Sequence, residues 1–346
     1  MTNTIYHDVL KAVANEPTHA IPIAFWGGAP FSTKLLKVKE IEYYQNTDCK
    51  LATFQRMFEM FPEVIFFPGI WPDFGTVAIP SAFGAKIQWH EEDAPHAYPC
   101  LQSINDIDRI KPANPKQDGL LPNALGEWEY FWKHVDRKWI DEYGYLDGTA
   151  FIMGTVESAA MMRGYSEFFL DMIEHPGKVH KLLDIVTDTA LAYLREQEKI
   201  NGSLKRIMVG DHLVTQISPD HCKEFYVPYT SRIFNEFSNA EIKLWHNEGR
   251  CSHVYDQIPD LGCNVWQFGD DDALEAKDAL QGKVTLMGNI KTVDHLLKGT
   301  PEQVGDATKS LLTAMGKDGG FLLSSAGGMS PGTSYENVRA LIDAAR

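Results

Sequence analysis

Two short stretches of this sequence carry the residue types of a reactive centre. His246-Asn247-Glu248-Gly249 ends one apolar run and Asp211-His212 ends another. Residues two apart in an extended segment project to the same side. His246 and Glu248 thus present an imidazole nitrogen and a carboxylate oxygen together, both ordinary zinc ligands. The same pair also fits a plain His–Glu hydrogen bond that orients a loop. Asp211 and His212 are adjacent, so one faces the interior and the other the covering helices. Asp211 could take up a proton, orient a ligand or anchor a cation; it fits equally a cap for the helix that begins near Ser218. Glu157 follows Gly154-Thr155-Val156 at the end of a third run. It suits either a site or a first-turn carboxylate at a helix N-terminus. Trp26, Trp71, Phe74, Phe268 and Asn289 stand at or just beyond other run ends. The aromatic ones are expected either to wall a substrate or to pack. The glycine-rich 327–332 stretch lacks the Lys-Ser/Thr of a phosphate loop, and no GxGxxG occurs, so a nucleotide cofactor is unsupported.

The elements that must hold these residues are short apolar runs alternating with longer amphipathic stretches. The runs cover 19–26, 63–69, 150–156, 206–212, 242–249, 263–269, 284–290 and 320–326. Each is apolar on both faces, the pattern of parallel strands covered on both sides. Eight such runs separated by helices predict an α/β fold, a (β/α)8 TIM barrel, whose chemistry sits where strands end. Residues 166–200 read as helix with a break at Pro176-Gly177. Ser218 before Pro219 reads as a helix start, as do Thr292 and Thr300. Residues 1–346 are expected to form a single barrel domain. The segment from about 70 to 149, rich in Pro, Gly and aromatics, is expected to be an elaborated loop or small β-excursion.

Composition narrows the partners. Lys plus Arg number 32 against 47 Asp plus Glu, a net charge of −15. Nucleic-acid binding rests on neutralising phosphates with cations, so a polyanionic partner is disfavoured. The five cysteines follow no CxxC or framework spacing, and the N-terminus lacks a basic-then-apolar leader pattern. No apolar run reaches the roughly 18 residues of a membrane span. A reducing, cytoplasmic setting is expected.

Several segments together resemble the uroporphyrinogen decarboxylase superfamily. Ile207-Met208-Val209-Gly210-Asp211, then Gln216-Ile217-Ser218-Pro219, Phe225 and Pro228-Tyr229, is similar to its "LSP…F…PY" segment. Leu286-Met287-Gly288-Asn289-Ile290, followed by Gly299-Thr300-Pro301-Glu302-Gln303-Val304, resembles "GN…GTPEEV". Pro331-Gly332-Thr333 and Glu336-Asn337-Val338-Arg339-Ala340-Leu341 resemble "PxTPxENVRAL". The resemblance implies the barrel and two chemistries. The decarboxylase holds substrate carboxylates with an Arg-rich loop. Here that loop reads Phe25-Trp26-Gly27-Gly28-Ala29-Pro30-Phe31, with no Arg, and excludes a tetrapyrrole polyacid.

The other branch is the corrinoid-dependent methyltransferases, which resemble this chain at His246-Asn247-Glu248-Gly249. Members acting on coenzyme M hold zinc through His-x-Cys and a later Cys. Here His246 matches the His, Glu248 replaces the first Cys and Gly327 stands at the later Cys position. The resemblance, with these departures, implies an oxygen/nitrogen zinc site of Glu157, His246 and Glu248, joined by Asp211 or His212. Such a site suits an ether oxygen better than a thiol. Asp211 and His212 are the candidate acid groups. Trp26, Trp71, Phe74, Phe268 and Asn289 are expected to contact a methoxylated, preferably aromatic substrate. A separate corrinoid protein would receive the methyl group, as in O-demethylase systems, and a homodimer is the family expectation. The alternative is a metal-free decarboxylase or lyase on a small acid, working through Asp211 and His212.

Overall fold

The computed structural model describes residues 4–316 and 319–346. Eight parallel strands form the barrel: β1 (Ala24–Trp26), β2 (Ile65–Phe67), β3 (Thr149–Met153), β4 (Arg206–Gly210), β5 (Ile242–Asn247), β6 (Val265–Phe268), β7 (Thr285–Ile290) and β8 (Phe321–Ser325). Each falls inside one of the eight apolar runs, and nearly every strand residue is buried. Strands β3 to β8 pair in chain order, as do β1 and β2. A parallel bridge, Ile23 to Leu323, joins β1 to β8. The β2–β3 seam is crossed by Thr149 Oγ1 to the Pro68 carbonyl, 3.0 Å, and by Ile70 N–H to the Tyr145 carbonyl, 2.9 Å.

Alternation along the strands decides what faces the barrel interior. On β5, the fully buried Trp245 turns to the helices, where its Nε1 donates to Tyr226 Oη at 2.8 Å. His246, next in line, turns inward. The helical stretch after β3 breaks as expected, into Tyr165–Glu174 and Pro176–Asn201. Ser218 Oγ accepts from His221 N–H, and Thr300 forms a reciprocal capping box with Gln303. Thr292 departs from expectation. Residues 292–297 form a wide π turn whose N-cap position is Lys291, with no side-chain cap. Between β2 and β3 the chain makes a two-stranded hairpin, Ile87–Gln88 with His96–Ala97, and helices including Ala78–Ala82 and Leu121–His134. Among the described residues no helix is long and apolar enough to cross a membrane, and all five cysteines are free thiols.

Candidate metal centre

The ends of β4 and β5 bring His212, His246 and Glu248 together: one ligand atom from each lies within 4.8 Å of the others. His212 Nε2 is 3.5 Å from Glu248 Oε1, and His246 Nε2 is 3.9 Å from the same oxygen. The two rings stand nearly perpendicular, centroids 5.2 Å apart. Both Nε2 atoms therefore address one carboxylate oxygen.

What holds each imidazole in this sense is a partner on its other nitrogen. His246 Nδ1 is 2.5 Å from Gln267 Oε1, while Gln267 Nε2 donates to the Gly327 carbonyl at 3.1 Å. The amide is fixed by that second bond, so His246 Nδ1 is the donor and Nε2 carries the free lone pair. His212 Nδ1 faces Glu157 Oε2 at 3.3 Å. That carboxylate also accepts from His212 N–H at 2.6 Å and, through Oε1, from Tyr165 Oη–H at 2.9 Å. His212 Nε2 is buried and has no hydrogen-bond partner. Imidazoles whose second nitrogen is held by a carboxylate or carbonyl oxygen are the usual supports of metal sites. The donor set, two nitrogens and a carboxylate, fits zinc or a similar divalent ion.

Electrostatics agree with that use. Burial holds His246 down at about 4, so its ring is neutral near pH 7. Burial also lowers His212, but the carboxylates of Glu157 and Glu248 on its two sides outweigh it and lift the ring to about 10. Burial raises Glu248; the two imidazoles and the Gly328 N–H, which donates to its Oε2 at 3.0 Å, hold it at about 2 instead. An apo site with two carboxylates around His212 keeps a proton there, which an incoming cation would replace.

Glycine completes the geometry at two positions. At Gly327, φ is +77°, and a Cβ would stand 2.1 Å from Glu248 Oε2. A side chain at 327 and the Glu248 carboxylate would compete for one space, so Gly327 leaves room for Glu248. At Gly154, a Cβ would meet Asp211 Oδ2 at 1.9 Å.

The other expected site residues divide. Asp211 is wholly buried; its carboxylate accepts from Glu157 N–H at 3.3 Å and Leu213 N–H at 3.0 Å. Burial and the Glu157 charge push its pKa up. Glu157 sits in the first turn of helix Thr155–Arg163 and reaches the cluster through His212. Trp26 stacks on His246, centroids 4.1 Å apart at 14°, and lines a cleft of about 320 Å3 with Phe31, Glu248, Thr292 and Met329. Trp71 lies one ring further back, against Phe151, which itself meets Trp26 edge-on. Phe74 lines separate cavities under Trp71 and beside Trp89. Phe268 and Asn289 do not line the cleft. Phe268 follows Gln267 and so points outward, fully buried beside Trp266. Asn289 Nδ2 is engaged by the Gly269 and Asp271 carbonyls, 2.9 and 2.8 Å.

Sequence reasoning missed Gln267 and Tyr165. A lone amide inside the apolar Val265–Phe268 strand was a usable signal for the first; nothing local marked the second. It also missed a buried ionic group behind the cleft wall. Lys50, fully buried, pairs with Glu127 at 2.6 Å. Nearby Asp73 accepts from Tyr43 Oη–H at 2.9 Å and Gly75 N–H at 2.7 Å. Asp73 Oδ2 lies just behind Gly28 of the cleft.

Residues 6–346 match the uroporphyrinogen decarboxylase (URO-D) family model. The chain belongs to this family. A methylated-thiol–coenzyme M methyltransferase of Methanosarcina mazei is 23% identical over 276 residues, spanning 80% of this chain and 71% of that protein. The uroporphyrinogen decarboxylase of Schizosaccharomyces pombe is 25% identical over 285 residues, 77% of this chain and 76% of its own. A solved methyltransferase structure from Methanosarcina mazei superposes with a TM-score of 0.81 at 19% identity, covering 99% of this chain and 98% of that one. That likeness establishes the shared TIM-barrel fold.

Proposed function

We propose that this URO-D family protein is a methyltransferase that takes a methyl group from a small methoxylated substrate, by preference an aryl ether. The methyl would pass to the cobalt of a corrinoid carried by a separate protein. The observation that carries the reading is the convergence of His212 Nε2 and His246 Nε2 on one Glu248 oxygen, each ring braced from behind by Glu157 or Gln267.

A methyl ether is a poor methyl donor because its leaving oxygen is strongly basic. A divalent metal held by His212, His246 and Glu248 would supply Lewis acidity to that oxygen. The chain's own contribution is orientation and exclusion of water. Trp26, flat against His246, offers an aromatic face beside the donors, and Phe31 and Met329 narrow the cleft. At about 320 Å3 the cleft is at the small end of ligand sites, which run from about 300 to 1,000 Å3. That suits a one-ring compound. Asp211 keeps the Glu157 helix turn in place from beneath. The metal-free lyase reading is weaker, because the Asp211 carboxylate is sealed from the cleft and engaged by two backbone N–H groups. The barrel would act as one domain in the cytoplasm, as a homodimer, its mouth open to the corrinoid protein.

The experiment is methyl transfer from methoxylated aromatics to a reduced corrinoid protein. Wild-type protein supplemented with zinc should demethylate at least one donor, and folded His246→Ala should not. Full activity in His246→Ala would overturn the reading.

A further inference from the structure

We infer that the cleft selects an uncharged aryl ether and rejects methoxylated acids. The inference takes the ligand's ether from the methyl-transfer reading and its charge from the cleft itself. Among the described residues that line the cleft, Glu248 is the one acidic side chain. His246 is occupied on both ring nitrogens, Nδ1 by Gln267 and Nε2 facing Glu248. Thr292 and Ser330 offer hydroxyls, and Trp26, Phe31 and Met329 offer apolar surface. Among the described residues no Lys or Arg lines it.

The nearest cation along the chain is turned elsewhere. Lys291 precedes Thr292, but its Nζ donates to the Gly269 carbonyl at 2.9 Å and stands 3.8 Å from Asp270. Behind the lining lies a further carboxylate, Glu157 against His212. A carboxylate entering this cleft gives up water and meets no guanidinium or ammonium. A carboxylate para to the ether oxygen lies across the ring from it, so it cannot share the donors' metal with that oxygen. A neutral arene loses nothing comparable. Its ring faces Trp26, and a hydroxyl on it can meet Thr292 or Ser330.

The test needs no methyl acceptor. 4-Methoxybenzyl alcohol and 4-methoxybenzoate, alike in shape, are titrated into zinc-supplemented protein without a corrinoid protein, so nothing turns over. Binding is read by tryptophan fluorescence and calorimetry. The alcohol should bind at least about tenfold more tightly, because with the ether oxygen at the metal the para carboxylate is buried without a cationic partner. Ser330→Arg should tighten the benzoate and narrow or reverse the preference for the alcohol, since an Arg gives the anion a bidentate partner. Equal or tighter benzoate binding by wild type, or failure of both compounds to bind, overturns the inference. The methyl-transfer assay is scored separately. Alcohol preference without transfer would keep the charge selectivity and remove the proposed function; transfer with benzoate preferred would do the reverse.

Discussion

A single methyl group at position 327 should disable the site without replacing any donor residue. A Cβ there would stand 2.1 Å from Glu248 Oε2 and 2.3 Å from Glu248 Cβ. Real Cβ contacts do not fall below 3.0 Å, so the oxygen must retreat by 0.9 Å (3.0 minus 2.1). The clash with Glu248 Cβ means that side-chain rotation alone cannot provide the movement. Holding φ at +77° adds about 1–2 kcal/mol for an alanine. Glu248 Oε1 sits 3.5 Å from one imidazole nitrogen and 3.9 Å from the other, so a shift of this size spoils the shared point. Loss of comparable supporting contacts costs about 10–100-fold in metal affinity. Gly327→Ala should therefore fold with a slightly lowered Tm and bind zinc about 100-fold more weakly in chelator competition. Zinc affinity within about twofold of wild type, in folded Gly327→Ala, would refute the steric argument.

Other perturbations have equally definite outcomes. Gln267→Leu removes the brace on His246 Nδ1 and should weaken zinc about 10–100-fold; unchanged affinity in the same titration would contradict the role given to Gln267. At pH 7.5, zinc binding should release about one proton, from His212, measured by calorimetry in buffers of different ionisation heat. Glu157→Gln, which lowers the His212 pKa, should reduce that release. In metal-free protein the stabilisation due to charged His212 is complete below its ordinary 6.5 and is lost as pH rises through about 10. The stability gap between wild type and His212→Gln should shrink over that range. Lys50→Met strands Glu127 in the interior and should cost about 3–5 kcal/mol by denaturant unfolding. Adding Glu127→Leu should restore most of it.

All eight strands were legible in the sequence, because a parallel strand buried on both faces is an unbroken apolar run with a polar or glycine end. His246 and Glu248 were legible for the same reason: the run stops at them. The rest depended on contacts that sequence spacing does not encode. Glu157 was read as a ligand because it ends a run, yet the turn of its helix sets it against His212 Nδ1 and Tyr165. Phe268 was expected at the mouth, but β6 puts Gln267 inward and therefore Phe268 outward. Asn289 likewise ends a run, but its amide ties the loop after β6. The Lys50–Glu127 pair joins residues 77 apart, each inside an ordinary amphipathic helix, so neither pattern announces it.

Metal content tests the His212–His246–Glu248 centre most directly. Protein purified without chelator is analysed for metals, with His246→Ala and Glu248→Ala prepared alongside and checked for folding. About one zinc or similar divalent ion per wild-type chain is expected, with near-complete loss in both folded variants. A metal-free wild type, or variants that retain the wild-type content, would contradict it.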